Sequence, residues 1–163
     1  MAAGQGVLAP WYHPYYHLIV PTRVVLDTNV LVAALWSRTG ASFRLLAAVR
    51  AGRLQPALSV PLVLEYEMVL LRRGPDLGLT PRDVGAVLDW LCAVGHHQAI
   101  HFLWRPVLRD PRDELVLEVA VAAGCREIVT FNTRDFAGVE RLGLVAITPQ
   151  AALRRFQGGA WVP

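Results

Sequence analysis

Lysine is missing altogether: the 16 basic side chains of this 163-residue chain are all arginine. A P-loop cannot form, since its phosphate-contacting lysine is absent. Schiff-base and pyridoxal chemistry need an amine side chain for the imine and fall with it. The strand lysine of a kinase is excluded on the same ground. Serine is scarce too: only Ser37, Ser42 and Ser59 occur, and none stands in a GxSxG elbow. The two cysteines, Cys92 and Cys125, lie in no CxxC or CxH pattern. That argues against a zinc knuckle, an iron–sulfur centre or a disulfide framework. No apolar run reaches the roughly 18 residues of a spanning helix, because Arg23, Glu65, Glu67 and Glu118 cut the longest ones. The first residues lack the basic start and unbroken apolar stretch of a secretion signal. A cytoplasmic protein without membrane attachment is expected.

What is present is a core. Hydrophobic residues make up 54% of the chain and charged ones 18%. This balance suits one ordinary domain able to bury about two-thirds of its unfolded surface. The net charge of +3 mildly favours a polyanionic partner. Residues 1–21 differ from the rest: they carry aromatics (Trp11, Tyr12, Tyr15, Tyr16) but neither acid nor arginine. They are expected to be a leader or flexible arm before a domain spanning 22–157, with 158–163 a short tail.

Within 22–157 short β-branched runs alternate with helical patterns. Arg23 to Leu26 reads as a buried strand and Asn29 to Trp36 as a short helix. Ser42 can cap a second helix through Val49, stopped at Gly52. Ala57 to Val60 resembles a strand. Pro61 opens a helix with Leu62, Val63, Tyr66, Val69 and Leu70 on one face, ending at Arg72–Arg73–Gly74. Thr80–Pro81 caps another helix, and Ala99 to Leu103 is a weaker strand. A helix from Arg112 to Ala123, strands at Glu127 to Thr130 and Leu144 to Ile147, and a helix from Thr148–Pro149 complete the pattern. Strands separated by helices imply α/β architecture, a central parallel sheet of about four to five strands flanked by helices.

Four acids fall where such a sheet binds ligands, outside the carboxyl ends of its strands. Asp27 follows the first strand. Glu65 is a turn into the helix after the second, Asp113 is in the first turn of the helix after Asp110–Pro111, and Asp135 trails the Glu127–Thr130 strand. Carboxylates sharing a small cleft need a cation, and hard oxygen ligands suit Mg²⁺ or Mn²⁺. Such an ion activates water and stabilises charge on a phosphodiester. Each acid also has a plainer reading: Asp27 and Asp110 as helix caps, Asp113 as a favourable first-turn charge, Glu65 as a solvated helix position, Asp135 as a turn cap.

Four segments resemble the signature blocks of a PIN domain, in the family's order and spacing: RVVLDTNVL from Arg23, SVPLVLEY from Ser59, DELVLEVA from Asp113 and TFNTRDF from Thr130. The branch most similar is the toxin component of bacterial VapBC-type toxin–antitoxin pairs. The resemblance implies a single PIN-like domain whose catalytic and metal-holding acids are Asp27, Glu65, Asp113 and Asp135. Thr28, Asn29, Thr130 and Asn132 would be supporting polar residues, and Asp110 an extra carboxylate or a cap. Asn132 stands where the family often has its fourth acid, and Asp135 would restore that charge. The implied activity is Mg²⁺- or Mn²⁺-dependent endoribonuclease cleavage leaving a 5′-phosphate, in the toxin of a type II pair. The implied partners are an RNA substrate, a cognate antitoxin and a second copy in a homodimer, through helices near 41–51 and 61–71. Alternatives are a housekeeping RNA-processing nuclease, or a weakened module that binds RNA or protein.

With no lysine, arginines must make the phosphate contacts. Arg38, Arg44, Arg105, Arg109, Arg112 and Arg134 are candidates from their places in expected loops. His97 and His101 lie outside any HExxH and are not expected to bind metal. Trp36, Trp90 and Trp104 are expected in the core or an interface rather than as base-stacking platforms.

Overall fold

The computed structural model describes residues 21–101 and 107–157. The expected leader (save Pro21), the tail from 158, Trp104 and Arg105 lie outside them. The architecture is α/β, as expected, with a five-stranded parallel sheet. In chain order come β1 (Thr22–Leu26), α1 (Thr28–Trp36), α2 (Ala41–Arg50), β2 (Leu54–Leu58), α3 (Val60–Leu77) and α4 (Pro81–Val94). Then follow β3 (His96–His97), α5 (Pro111–Ala122), β4 (Glu127–Val129), β5 (Val145–Ile147) and α6 (Pro149–Gln157). Two short 3₁₀ turns, Thr133–Phe136 and Val139–Leu142, join β4 to β5.

The strand order is β3-β2-β1-β4-β5. The chain winds outward from β1 through β2 to β3, then returns to lay β4 and β5 on the other side of β1. The reversal lies between β1 and β4, and crossover connections part there to leave a crevice at the strands' carboxyl ends. Val24, Val25, Leu26, Ile128 and Val129 are all essentially buried. Strands covered on both faces read as unbroken apolar runs rather than alternating ones, which is why β1 and β4 are legible in the sequence. Helix α3 packs inward with Leu62, Tyr66 and Leu70. The Tyr66 hydroxyl donates to the Leu26 carbonyl at the end of β1. This bond tethers α3 to the strand end that leads into Asp27.

Four boundaries differ from expectation, the first being that of α2, which begins at Ala41 after Gly40, with Ser42 buried inside the helix instead of capping it. The second strand runs over Leu54–Leu58, not Ala57 to Val60. Pro56 sits inside it opposite Val24, and a residue without an N–H weakens the strand signal at its centre. Ser59 instead caps α3, its hydroxyl accepting from the Leu62 N–H at 3.3 Å. Helix α3 does not end at Gly74. That glycine is buried in the helix, and a Cβ there would meet the Leu79 carbonyl at 3.1 Å. The stop is Gly78, at φ 68°, which returns the Leu79 N–H to the Gly74 carbonyl at 2.9 Å. The third strand is the pair His96–His97 alongside Ala57 and Leu58. Ala99 to His101 carry no strand, and Leu103 lies outside the described residues. An edge strand this short has no periodicity to read.

Candidate active site

Asp27 follows β1 directly and is the N-cap residue of α1. Its backbone N–H donates to the Val129 carbonyl at 2.9 Å, so the β1–β4 ladder places it. Its carboxylate Oδ2 accepts from the Thr130 hydroxyl and the Asn29 side-chain amide, each at 2.6 Å. Thr130 is the hub: having donated to Asp27, its Oγ1 accepts from Asn29 Nδ2 at 3.3 Å and the Asn132 N–H at 3.0 Å. One hydroxyl thus uses its donor and both acceptor positions. Asn29 Oδ1 in turn accepts from the Phe131 N–H at 3.3 Å. The expected polar residues Asn29, Thr130 and Asn132 therefore form one network around Asp27, and Thr28 lines the same cleft.

That cleft has a volume of about 1050 Å³ and opens over the carboxyl ends of β1 and β4. Asp27, Glu65, Asp113, Asp135, Asn132 and Asp110 all line it. The acids come from four different places: the end of β1, the second turn of α3, the first turn of α5, and the 3₁₀ turn after β4. Phe136, fully buried, anchors that last turn beside Asp135.

Asp110 behaves as a cap. It begins α5, its Oδ1 accepts the Arg112 N–H at 2.9 Å, and its Oδ2 pairs with the Arg112 guanidinium at 3.2 Å. These bonds hold its carboxyl below the ordinary range. Arg112 faces Asp110 first, and then Glu65 and Asp113. Among the described residues, of the arginines singled out in the sequence it alone lines the cleft; Arg38, Arg44, Arg109 and Arg134 do not. Arg72 and Arg73, on the same helix as Glu65, do line it. Their Glu65-to-Arg72 spacing of two helical turns was a usable signal.

The electrostatics are those of crowded acids. Partial burial pushes the Asp113 carboxyl up to about 6, reinforced by Asp27, Asp110 and Asp135 and opposed by Arg112. Burial also raises Asp27, against the Thr130 and Asn29 hydrogen bonds that favour its anion. Among the described residues no three acid, imidazole or thiol groups are gathered tightly enough to hold an ion unaided. The donor set still fits Mg²⁺ or Mn²⁺: it is all oxygen, and Mg²⁺ keeps several waters while taking only one or two carboxylates directly.

A pH dependence follows. Between its ordinary value and about 6, Asp113 holds its proton in the folded chain but not in the unfolded one. Stability therefore falls as pH rises through this window. The depressed Asp83 and Asp110 act oppositely, but only below about pH 4. The melting temperature in EDTA should decline from about pH 4 to about pH 6 and then level, and Asp113→Asn should flatten that decline. A wild-type melting temperature that climbs through this window would contradict the crowding of these acids.

The PIN-domain family profile matches residues 23–134. No sequence among the curated proteins matches. Among solved structures, the chain is similar to VapBC2 from Rickettsia felis, crystallised on a DNA fragment from its own promoter. The likeness has a TM-score of 0.55 at 16% identity, covering 78% of this chain and 98% of that one. At this identity the match speaks for the fold. Among the described residues, no helix is long and apolar enough to cross a membrane.

Proposed function

This chain belongs to the PIN-domain family, and on that footing we propose that it is a Mg²⁺- or Mn²⁺-dependent endoribonuclease, the toxin of a type II toxin–antitoxin pair. The observation that carries the reading is the convergence of Asp27, Glu65, Asp113 and Asp135 on one cleft at the sheet's switch point. Asp27, Glu65 and Asp113 would hold the ion directly or through water, with Asp135 supplying the charge that Asn132 lacks. When bound, the ion supplies the positive charge that lets these acids coexist and the Lewis acidity that activates water against a phosphodiester. Thr130 and Asn29 orient Asp27 and favour its anion against the opposing effect of burial, since both donate to its carboxylate. Arg72 and Arg112, at the cleft wall, offer cationic contacts to substrate phosphates.

An antitoxin partner is supported by the VapBC2 assembly that shares this fold. A partner or a second copy has an apolar face available on α3, where Val60, Leu64, Met68 and Leu71 are exposed at spacings that keep them on one side. A cytoplasmic place accords with such a role.

The test is cleavage of a mixed pool of structured RNA by the purified, antitoxin-free protein in Mg²⁺, Mn²⁺ or EDTA. Discrete fragments are expected with either metal and none in EDTA. The same metals should raise the melting temperature more at pH 7.5 than at pH 5, where protons compete for Asp113. Folded protein that cuts no RNA in either metal would leave the weakened binding module as the better reading. Cleavage without growth arrest on expression would favour the housekeeping nuclease.

A further inference from the structure

Trp36, expected from the sequence in the core or an interface, does not enter the core. It ends α1 with 63% of its surface exposed and lines the acidic cleft. Phe131 lines the same cleft, 51% exposed. More than half of each of these residues is left uncovered by the described residues, while the exposed stripe Val60, Leu64 and Met68 on α3 lies outside the cleft. The two rings thus stand apart from the surface best suited to a protein partner, among polar and charged neighbours.

We propose that Trp36 and Phe131 are nucleobase-stacking platforms on the cleft rim, the groups through which the site grips the bases of its RNA strand. The inference rests on the nuclease reading above and concerns what that site accepts. Phe131 follows Thr130 directly, and its N–H is bonded to Asn29 at 3.3 Å, so its backbone is fixed next to the Asp27 network. Trp36 lies one helix length from Thr28, about 12 Å at the α-helical rise. Trp36 therefore borders Asp27 rather than overlying it. Arg72 lines the same cleft and makes no ion pair among the described residues. An aromatic face offers a base dispersion and stacking, and a free guanidinium offers its phosphate a charge. Only an unpaired base can present its faces this way, because in a duplex they are covered by neighbours.

The experiment measures binding by fluorescence anisotropy in Mg²⁺, in an Asp113→Asn background that suppresses turnover. The probes are one labelled RNA strand of mixed sequence and the same strand annealed to its complement. Single-strand binding should be tighter than duplex binding. Trp36→Ala and Phe131→Ala should each weaken single-strand binding about five- to a hundredfold. Trp36→Phe and Phe131→Tyr should restore it, whereas Trp36→Leu should not. Both rings are exposed, so truncation leaves no cavity, and melting temperatures should stay near the parent value.

Alanine variants that bind the single strand as tightly as the parent would overturn the proposal. So would leucine performing as well as phenylalanine, or a change of oligomeric state that accounts for the loss and assigns Trp36 to a protein interface. Failure of the inference alone would show as metal-dependent cleavage indifferent to either ring. A parent that neither binds nor cuts RNA would remove the nuclease reading together with it.

Discussion

Replacing Asp27 by Asn should lower metal-dependent RNA cleavage by at least about a hundredfold. Loss of a residue that merely orients a metal ligand typically costs 10–100-fold, and Asp27 is proposed as a ligand itself. The substitution is nearly isosteric. The Thr130 hydroxyl can still donate to the remaining oxygen, so the network survives while the charge goes. Stability should hold or rise, because Asp27 is buried and its burial disfavours the anion. Asp113→Asn should behave alike. The double variant should be scarcely worse than either single change, since groups acting as one unit do not add. The checks are initial cleavage rates with Mg²⁺ and Mn²⁺ beside a thermal melt. A folded Asp27→Asn protein cutting within tenfold of wild type would remove this carboxylate from the proposed site.

Phe136→Ala should give the largest stability loss. Its ring is fully buried beneath the 3₁₀ turn between β4 and β5. Removing a core phenylalanine costs about 3–5 kcal/mol through lost transfer energy and the cavity left behind. In a domain of this size that is a fall in melting temperature of roughly 10 °C. The turn also carries Asp135 and follows Asn132, so a loosened anchor should reduce activity in protein that is still folded. Phe136→Leu, which refills most of the volume, should recover much of both losses. A melting temperature unchanged by Phe136→Ala would mean that the turn is held by something other than this ring.

Parts of this architecture are written locally. Strands β1 and β4 are apolar runs buried on both faces, and they could be read with their following acids, Asp27 and Asp135. Helix α4 begins at Thr80, whose side chain and that of Asp83 each bond the other's backbone N–H, a reciprocal cap visible as a four-residue pattern. Other parts were not local. Strand β2 is not legible where it stands, because Pro56 interrupts its pattern, and β3 is not legible because two residues beside Leu58 make no pattern at all. The end of α3 is not legible either, because Gly74 looks like a stop in sequence. Its actual reason is close approach to the Leu79 carbonyl, a contact between turns.

The sequence by itself determined the α/β class, the family resemblance and the identity of the acids. These depend on residue types in order along the chain, and the apolar runs and polar blocks carry them. Only the tertiary structure decided which groups meet. Thr130 reaches Asp27 across 103 residues because β1 and β4 are neighbours in the sheet. Asp110 is engaged by Arg112 instead of standing free. The Asp113 carboxyl is raised by acids arriving from other elements. Trp36 faces the cleft because α1 ends there, beyond the cover of the core. Charge repulsion, burial and exposure act through distance in space, and strand order, absent from any local pattern, sets those distances.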